Sequence, residues 1–178
     1  MAPTPSDVVY DRELFELMVR SGCEGVLIGF ESFSQASLDR NGKKFNQVNQ
    51  YKEIVATFHA HRMAVSGCFV LGFDDDTPEI LARTAEIVYE IDIDFPRYAL
   101  LTPFPGSRLF TRFKSEGRLL TEDWSFYDSQ HVVFRPKLMS PAQLQQIFSD
   151  TLKQSFSYRH IFHRAQVAPH SLLLSLMA

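Results

Sequence analysis

The stretch "GCFVLGFDDDTPEI", residues 67–80, decides how this chain is read. A short apolar run, 68–71, is closed by Gly72; three adjacent aspartates follow, and Thr77-Pro78 opens a helical pattern. A continuous apolar run between turn signals suits a strand covered on both faces. Thr77 as N-cap and Pro78 at the first helical position make a helix start, and negative charge just before it suits the helix dipole. The stretch therefore reads as strand, turn, helix. The aspartates stay open at this level: they could start the helix, grip a cationic or hydroxyl-bearing ligand, or hold a divalent metal. The metal is the weakest reading, because consecutive side chains point different ways.

The same grammar extends outward. Asp11 can cap a helix whose stripe is Leu14, Phe15, Leu17 and Met18, ended by Gly22. "GVLIGF" (25–30) is a strand, and residues 45–61 are helical with Tyr51, Ile54, Val55 and Phe58 on one side. Residues 63–72 give the next strand, 77–91 one helix, and "YALL" (98–101) a third strand. Helical connections of this length imply a parallel sheet with right-handed crossovers. Beyond it "TPFPGSRLF" is a rigid turn entering a short helix, in which a proline could be cis, and "HVVF" (131–134) reads as a small strand. Ser140, Pro141 and Gln143 start a helix whose buried stripe is Leu144, Ile147, Phe148 and Leu152. Residues 1–10, with two prolines and no periodicity, read as a flexible lead.

A chain of 178 residues with net charge −3 can hold one real core and has no electrostatic case for nucleic acid or an anionic membrane. Cys23 and Cys68 read as buried reduced thiols; zinc or iron–sulfur sites need clustered cysteines. The tail "SLLLSLMA" is far shorter than the ~20 residues of a membrane span, no signal segment opens the chain, and the expected location is cytoplasmic.

Ligands of parallel α/β folds meet the carboxyl ends of the strands. Three such ends are legible: Gly29 to Ser32, Gly72 to Thr77, and Thr102 to Ser107. Glu31 needs a partner, either a salt bridge to Arg40 or Lys43, or an amine or ribose hydroxyl of a ligand. His59 with His61, and His160 with His163, lack a third ligand for zinc. Six C-terminal phenylalanines (Phe110, Phe113, Phe126, Phe134, Phe148, Phe156) are core by spacing, with a hydrophobic substrate channel as the other option.

Taken together, "LMVRSGCEGVLIGFES", "NGKKFNQ…SGCFVLGFDDDT" and "LLTPFPGSRLF…EGRL" resemble the C-terminal half of a radical S-adenosylmethionine enzyme, with the nearest likeness to the cobalamin-binding branch. "DWSFYDSQHVVFRPKLMSPAQL" resembles the C-terminal region of that branch. The resemblance implies an α/β fold: about three parallel strands of a partial TIM-type barrel at 11–117, a mostly helical extension at 118–165 and a tail at 166–178. It implies S-adenosylmethionine as cofactor. Glu31 and Ser32 would reach its methionine or ribose; Val70, Leu71 and Gly72 would lie along the adenine; Leu101, Thr102 and Pro103 would end near it. Asp75 stands where the family usually has Gly. The family's cluster motif, CxxxCxxC, is absent, so a 4Fe-4S cluster and cobalamin are expected only in a full-length relative, for which the resemblance implies a cobalamin-dependent methyltransferase. The chain is expected to be inactive alone, a fragment that needs a missing N-terminal half or self-associates through an exposed strand edge. Its substrate would be an unknown small or lipid-like molecule. The alternative is a non-catalytic α/β binding module pairing through that edge.

Overall fold

The computed structural model describes residues 1–168; the rest of the tail, 169–178, lies outside the described residues. Four parallel strands form one sheet in the spatial order of the chain: β1 (Ala2–Thr4), β2 (Gly25–Glu31), β3 (Ala64–Leu71) and β4 (Phe95–Leu100). Helices make each crossover: α1 (Arg12–Arg20), then α2 (Gln35–Arg40) and α3 (Tyr51–Ala60), then α4 (Pro78–Ala82) and α5 (Thr84–Glu90). After β4 come α6 (Arg108–Ser115), α7 (Pro141–Ser155) and α8 (Tyr158–Val167). The parallel α/β architecture is as expected, with four strands in place of three.

The additional strand comes from the segment read as a flexible lead. Ala2, Pro3 and Thr4 pair with Val26, Leu27 and Ile28, and Ser6 and Val8 just after them are buried. Proline cannot donate to a ladder, which bars it from a central strand but not from an edge. Pro3 is therefore compatible with the short edge strand it occupies, and Pro5 follows the strand's end. At the other edge, Leu100 N–H donates to Ser129 O at 2.7 Å.

The caps follow local sequence. Asp11, Thr77 and Ser140 each accept from the backbone N–H three residues on. The helix expected over 77–91 divides at Arg83 into α4 and α5. The one expected over 45–61 is α-helical only from Tyr51, after a 3₁₀ turn at Val48–Gln50. "HVVF" contributes a single antiparallel bridge, Phe134 to Leu119, and no strand. No peptide bond among the described residues is cis.

Strand alternation gives the sheet two unlike faces. One carries Val26, Ile28, Phe30, Val65, Phe69, Leu71 and Leu100, all buried against the α3 residues Tyr51, Ile54, Val55 and Phe58, Leu81 of α4 and Val88 of α5. Phe33, Phe69 and Tyr98 continue this core as an aromatic row, with centroids 4.8 Å and 6.0 Å apart. On α1 only Phe15 of the expected stripe is buried; Leu14 and Leu17 are exposed. Of the six C-terminal phenylalanines, Phe113, Phe134 and Phe148 are core, whereas Phe126 and Phe156 are exposed. The other face of the sheet carries Leu27, Gly29, Cys68, Val70, Ala99 and Arg97, and every one of them keeps some exposure to solvent. This half-covered face is what positions the site.

Candidate functional site

At the carboxyl end of β2 the register with β3 slips between Gly29 and Glu31, so Phe30 is an extra residue in the ladder. Glu31 takes φ +69°, a region that costs a non-glycine residue about 1 kcal/mol or more. Two buried polar side chains hold this turn. Asn46 Nδ2 donates to Gly29 O and Phe30 O at 2.8 and 2.9 Å, and its Oδ1 accepts from the Ser6 hydroxyl. The Tyr51 hydroxyl donates to Phe30 O at 2.7 Å and Ser32 O at 3.2 Å. Burial, then the nearby Glu31 charge, pushes the Tyr51 phenol far above its ordinary pKa, so it stays a donor.

The turn folds Glu31 back over Gly29. A Cβ built on Gly29 would stand 2.5 Å from Glu31 Oε1. Since Gly29 faces the half-covered side of the sheet, so does the Glu31 carboxylate. Its partner is Lys43, Nζ to Oε1 at 3.2 Å, one of the two salt bridges the sequence allowed; Arg40 instead pairs with Asp75 at 3.0 Å. Glu31 and Lys43 share a cleft of about 210 Å³ with Ser37, Leu38, Asn41 and Phe73. That is below the ~300–1,000 Å³ of whole-ligand pockets and suits one arm of a ligand. Gly29→Ala is expected to displace the carboxylate without unfolding the chain: a shift in melting temperature of a few degrees at most, read by circular dichroism.

The three aspartates separate into three structural duties. Asp76 is buried; Oδ2 accepts from Gly72 N–H and Phe73 N–H, both at 2.9 Å, and Oδ1 accepts from the Ser37 hydroxyl at 2.8 Å. Burial pushes its carboxyl above the ordinary range, against those hydrogen bonds. Asp75 ties to α2 through Arg40. Asp74 reaches Arg118 at 2.8 Å and Lys137 at 3.1 Å in the C-terminal extension, and Arg112 of α6 at 3.3 Å. Arg118 also stacks on Phe113, 4.0 Å from the ring centroid. Burial acts to raise the Asp74 carboxyl, but hydrogen bonds and charge from Arg118 and Lys137 outweigh it and hold the carboxyl below its usual value. A depressed folded pKa stabilises above the unfolded value and is lost as pH falls through the folded one. Acid unfolding should therefore show a limb below about pH 4 that Asp74→Asn lacks.

The remaining predicted site residues line the same rim, and much of their bonding capacity is already engaged. Ser32 is buried and its hydroxyl oxygen accepts from Ser34 N–H at 3.0 Å. Leu71 O accepts from Leu101 N–H at 2.9 Å, and Gly72 N–H belongs to Asp76. Thr102 donates its hydroxyl to Leu100 O at 3.0 Å, and Pro103 is buried. Val70 and Leu101 are half-buried. Glu31, Ser32, Val70 and Leu71 also line one small hollow. The histidines lie elsewhere. His59 Nε2 is 2.8 Å from Asp94 Oδ2, while His160 and His163 stack on Tyr89 with centroids at 4.8 and 4.0 Å. No group of three metal-ligating side chains exists among the described residues.

No family model matches the chain. Curated relatives do. It is 36% identical over 157 residues to the bacteriochlorophyllide d C-12(1)-methyltransferase of Chlorobaculum tepidum, covering 88% of this chain and 34% of that enzyme. The chain is a relative of the radical S-adenosylmethionine enzymes of the cobalamin-binding branch. The C-8(2)-methyltransferase for the same pigment, also of C. tepidum, is 25% identical over 88% of this chain and 35% of its own length. The chain thus spans about a third of the length of these relatives. Among solved structures, the radical S-adenosylmethionine methyltransferase TsrM of Kitasatospora setae, with cobalamin and a [4Fe-4S] cluster bound, superposes with TM-score 0.56. That match has 18% identity and covers 82% of this chain and 29% of TsrM. The fold is therefore that of radical S-adenosylmethionine enzymes.

The donor set here does not fit a four-iron cluster. The family loop would supply three thiolates; this chain has two cysteines, Cys23 ahead of β2 and Cys68 within β3. The strand-end rim does fit one wall for S-adenosylmethionine: an anionic carboxylate, a lysine and apolar side chains on a face left half-covered.

Proposed function

We propose that this chain forms the cofactor- and substrate-facing wall of a radical S-adenosylmethionine methyltransferase whose cluster is ligated by residues outside this sequence. The observation that carries the reading is the Glu31 carboxylate, folded over Gly29 onto the half-covered face beside Lys43. Glu31 suits the ammonium or ribose hydroxyls of S-adenosylmethionine, with Ser32 supporting its turn. Val70, with the backbone of Leu71 and Gly72, and the rim of Leu101, Thr102 and Pro103 would flank the adenine. Bound there, the cofactor would supply a radical when an electron from a cluster cleaves it, or a methyl group to a nucleophile without reduction. What this chain's residues do is bind, orient and exclude water. The chain alone is expected to transfer no methyl group. The names of its relatives make a tetrapyrrole pigment the proposed substrate class.

Calorimetric titration of the purified chain with S-adenosylmethionine tests this. Saturable binding is expected, about tenfold weaker in Glu31→Ala, the loss of one charge-assisted contact. A folded chain that does not bind would overturn the reading. It would favour a second one, a non-catalytic module that pairs through its open sheet edge. That module would self-associate, visible as a dimer in sedimentation whether or not cofactor is present.

A further inference from the structure

Among the eight strand residues 64–71 and six residues 95–100, the half-covered face is apolar but for Ser66, Cys68 and Arg97. Arg97 is the register partner of Cys68 and is exposed. Its Nε donates to Ser66 Oγ at 3.2 Å, and the Ser66 hydroxyl in turn donates to Phe95 O at 3.2 Å. The chain Arg97–Ser66–Phe95 fixes the guanidinium through Nε and leaves its two terminal nitrogens pointing away from that bond. Among the described residues no carboxylate lies within 4.0 Å of it. The contrast is Arg118, which is buried and matched by Asp74 and Glu116.

An oriented guanidinium on an apolar wall has a definite preference. It matches a carboxylate with two parallel N–H donors, and apolar surroundings strengthen the pair. Glu31 folds its carboxylate over Gly29, which shares a row of the sheet with Cys68 and Arg97, and the two charges act oppositely on the thiol of Cys68 between them. Burial raises that thiol's pKa, Arg97 pulls it down and Glu31 pushes it up. The wall thus carries an anionic group over β2 and a cationic group on β4, on either side of Cys68, with Leu27, Val70 and Ala99 as its apolar surface.

We propose that Arg97 is a substrate-positioning residue that takes a carboxylate carried by an otherwise apolar substrate. The proposal rests on reading the half-covered face as the substrate wall. It names what that wall selects: an apolar macrocycle or lipid bearing an acid group, in preference to its ester. Arg97 acts by binding and orienting, with no bond made or broken at the guanidinium.

The test uses the purified chain with protoporphyrin IX and its dimethyl ester as probes, titrated by fluorescence. Wild type, Arg97→Lys and Arg97→Met are compared, each also titrated calorimetrically with S-adenosylmethionine. Wild type should bind the acid about tenfold more tightly than the ester. Arg97→Lys should keep part of that preference and Arg97→Met should abolish it, with cofactor affinity unchanged in both. Equal binding of acid and ester by wild type would overturn the proposal, as would a preference that survives in Arg97→Met. A fall in cofactor affinity in Arg97→Met would overturn it too, by assigning the anchored carboxylate to the cofactor. If Arg97→Met does not fold, wild type and Arg97→Lys still decide. An acid preference in a wild-type chain that ignores S-adenosylmethionine would leave Arg97 standing and remove the cofactor reading alone.

Discussion

Gly72→Ala is expected to destabilise the fold by about 3 kcal/mol, from backbone strain and overpacking together. Gly72 has φ +108°, open to glycine and strained for any residue with a side chain. A Cβ there would lie 2.9 Å from Leu144 Cδ2 and 3.3 Å from Phe134 Cζ. Both neighbours are fully buried, Leu144 on α7 and Phe134 at the bridge to Leu119, so neither can withdraw cheaply. The position is where the C-terminal extension seats on the end of β3. Urea unfolding should show a midpoint reduced by ~1–2 M, with the slope unchanged if the extension and sheet still unfold together. A loss under ~1 kcal/mol would mean that the extension does not close against Gly72.

Asp76→Ala is expected to cost a similar amount, about 3 kcal/mol. It strands the N–H groups of Gly72 and Phe73 and the hydroxyl of Ser37, each buried donor costing ~1–3 kcal/mol if unpaired, with some relief from relaxation. Asp76→Asn keeps an acceptor of the same shape and should cost less than half as much. The sign of the titration agrees. A carboxyl raised in the folded state contributes most below its unfolded pKa and loses that contribution as pH rises through the folded one. A neutral amide escapes that loss. Thermal melts of both variants across pH 4–8 check the order. Asn as harmful as Ala would mean that the charge, and not the acceptor geometry, holds the turn.

These two positions also mark how far the sequence could be read. The pattern of strand and helix was local, and so were the caps at Asp11, Thr77 and Ser140, because each is decided within three residues. The buried side of α3 followed from spacing alone. Glu31 announced itself as a carboxylate at the end of an apolar run, and one of its two plausible partners proved to be the real one. The duties of the aspartates were not legible, because their partners are remote in the chain. Ser37 is 39 residues from Asp76, and Arg118 is 44 from Asp74. No periodicity carries that information. Asn46 and Tyr51, which shape the Glu31 turn, were missed for the same reason. Tyr51 was placed on a buried stripe, and the signal overlooked was that a buried phenol needs an acceptor. At the N-terminus, prolines were read as irregular chain when they also permit an edge strand. The face of the sheet that Arg97 occupies became visible only when the register was known.

Among the described residues no helix is long and apolar enough to cross a membrane, and the half-covered sheet face keeps some exposure along β2, β3 and β4. Whether S-adenosylmethionine meets that face at the three strand ends is the central claim. Amide hydrogen exchange with and without saturating S-adenosylmethionine tests it most directly. The account predicts added protection in three separated segments at once, around residues 29–33, 70–73 and 101–104. Protection confined to one of them, placed elsewhere, or absent from a folded chain would contradict it.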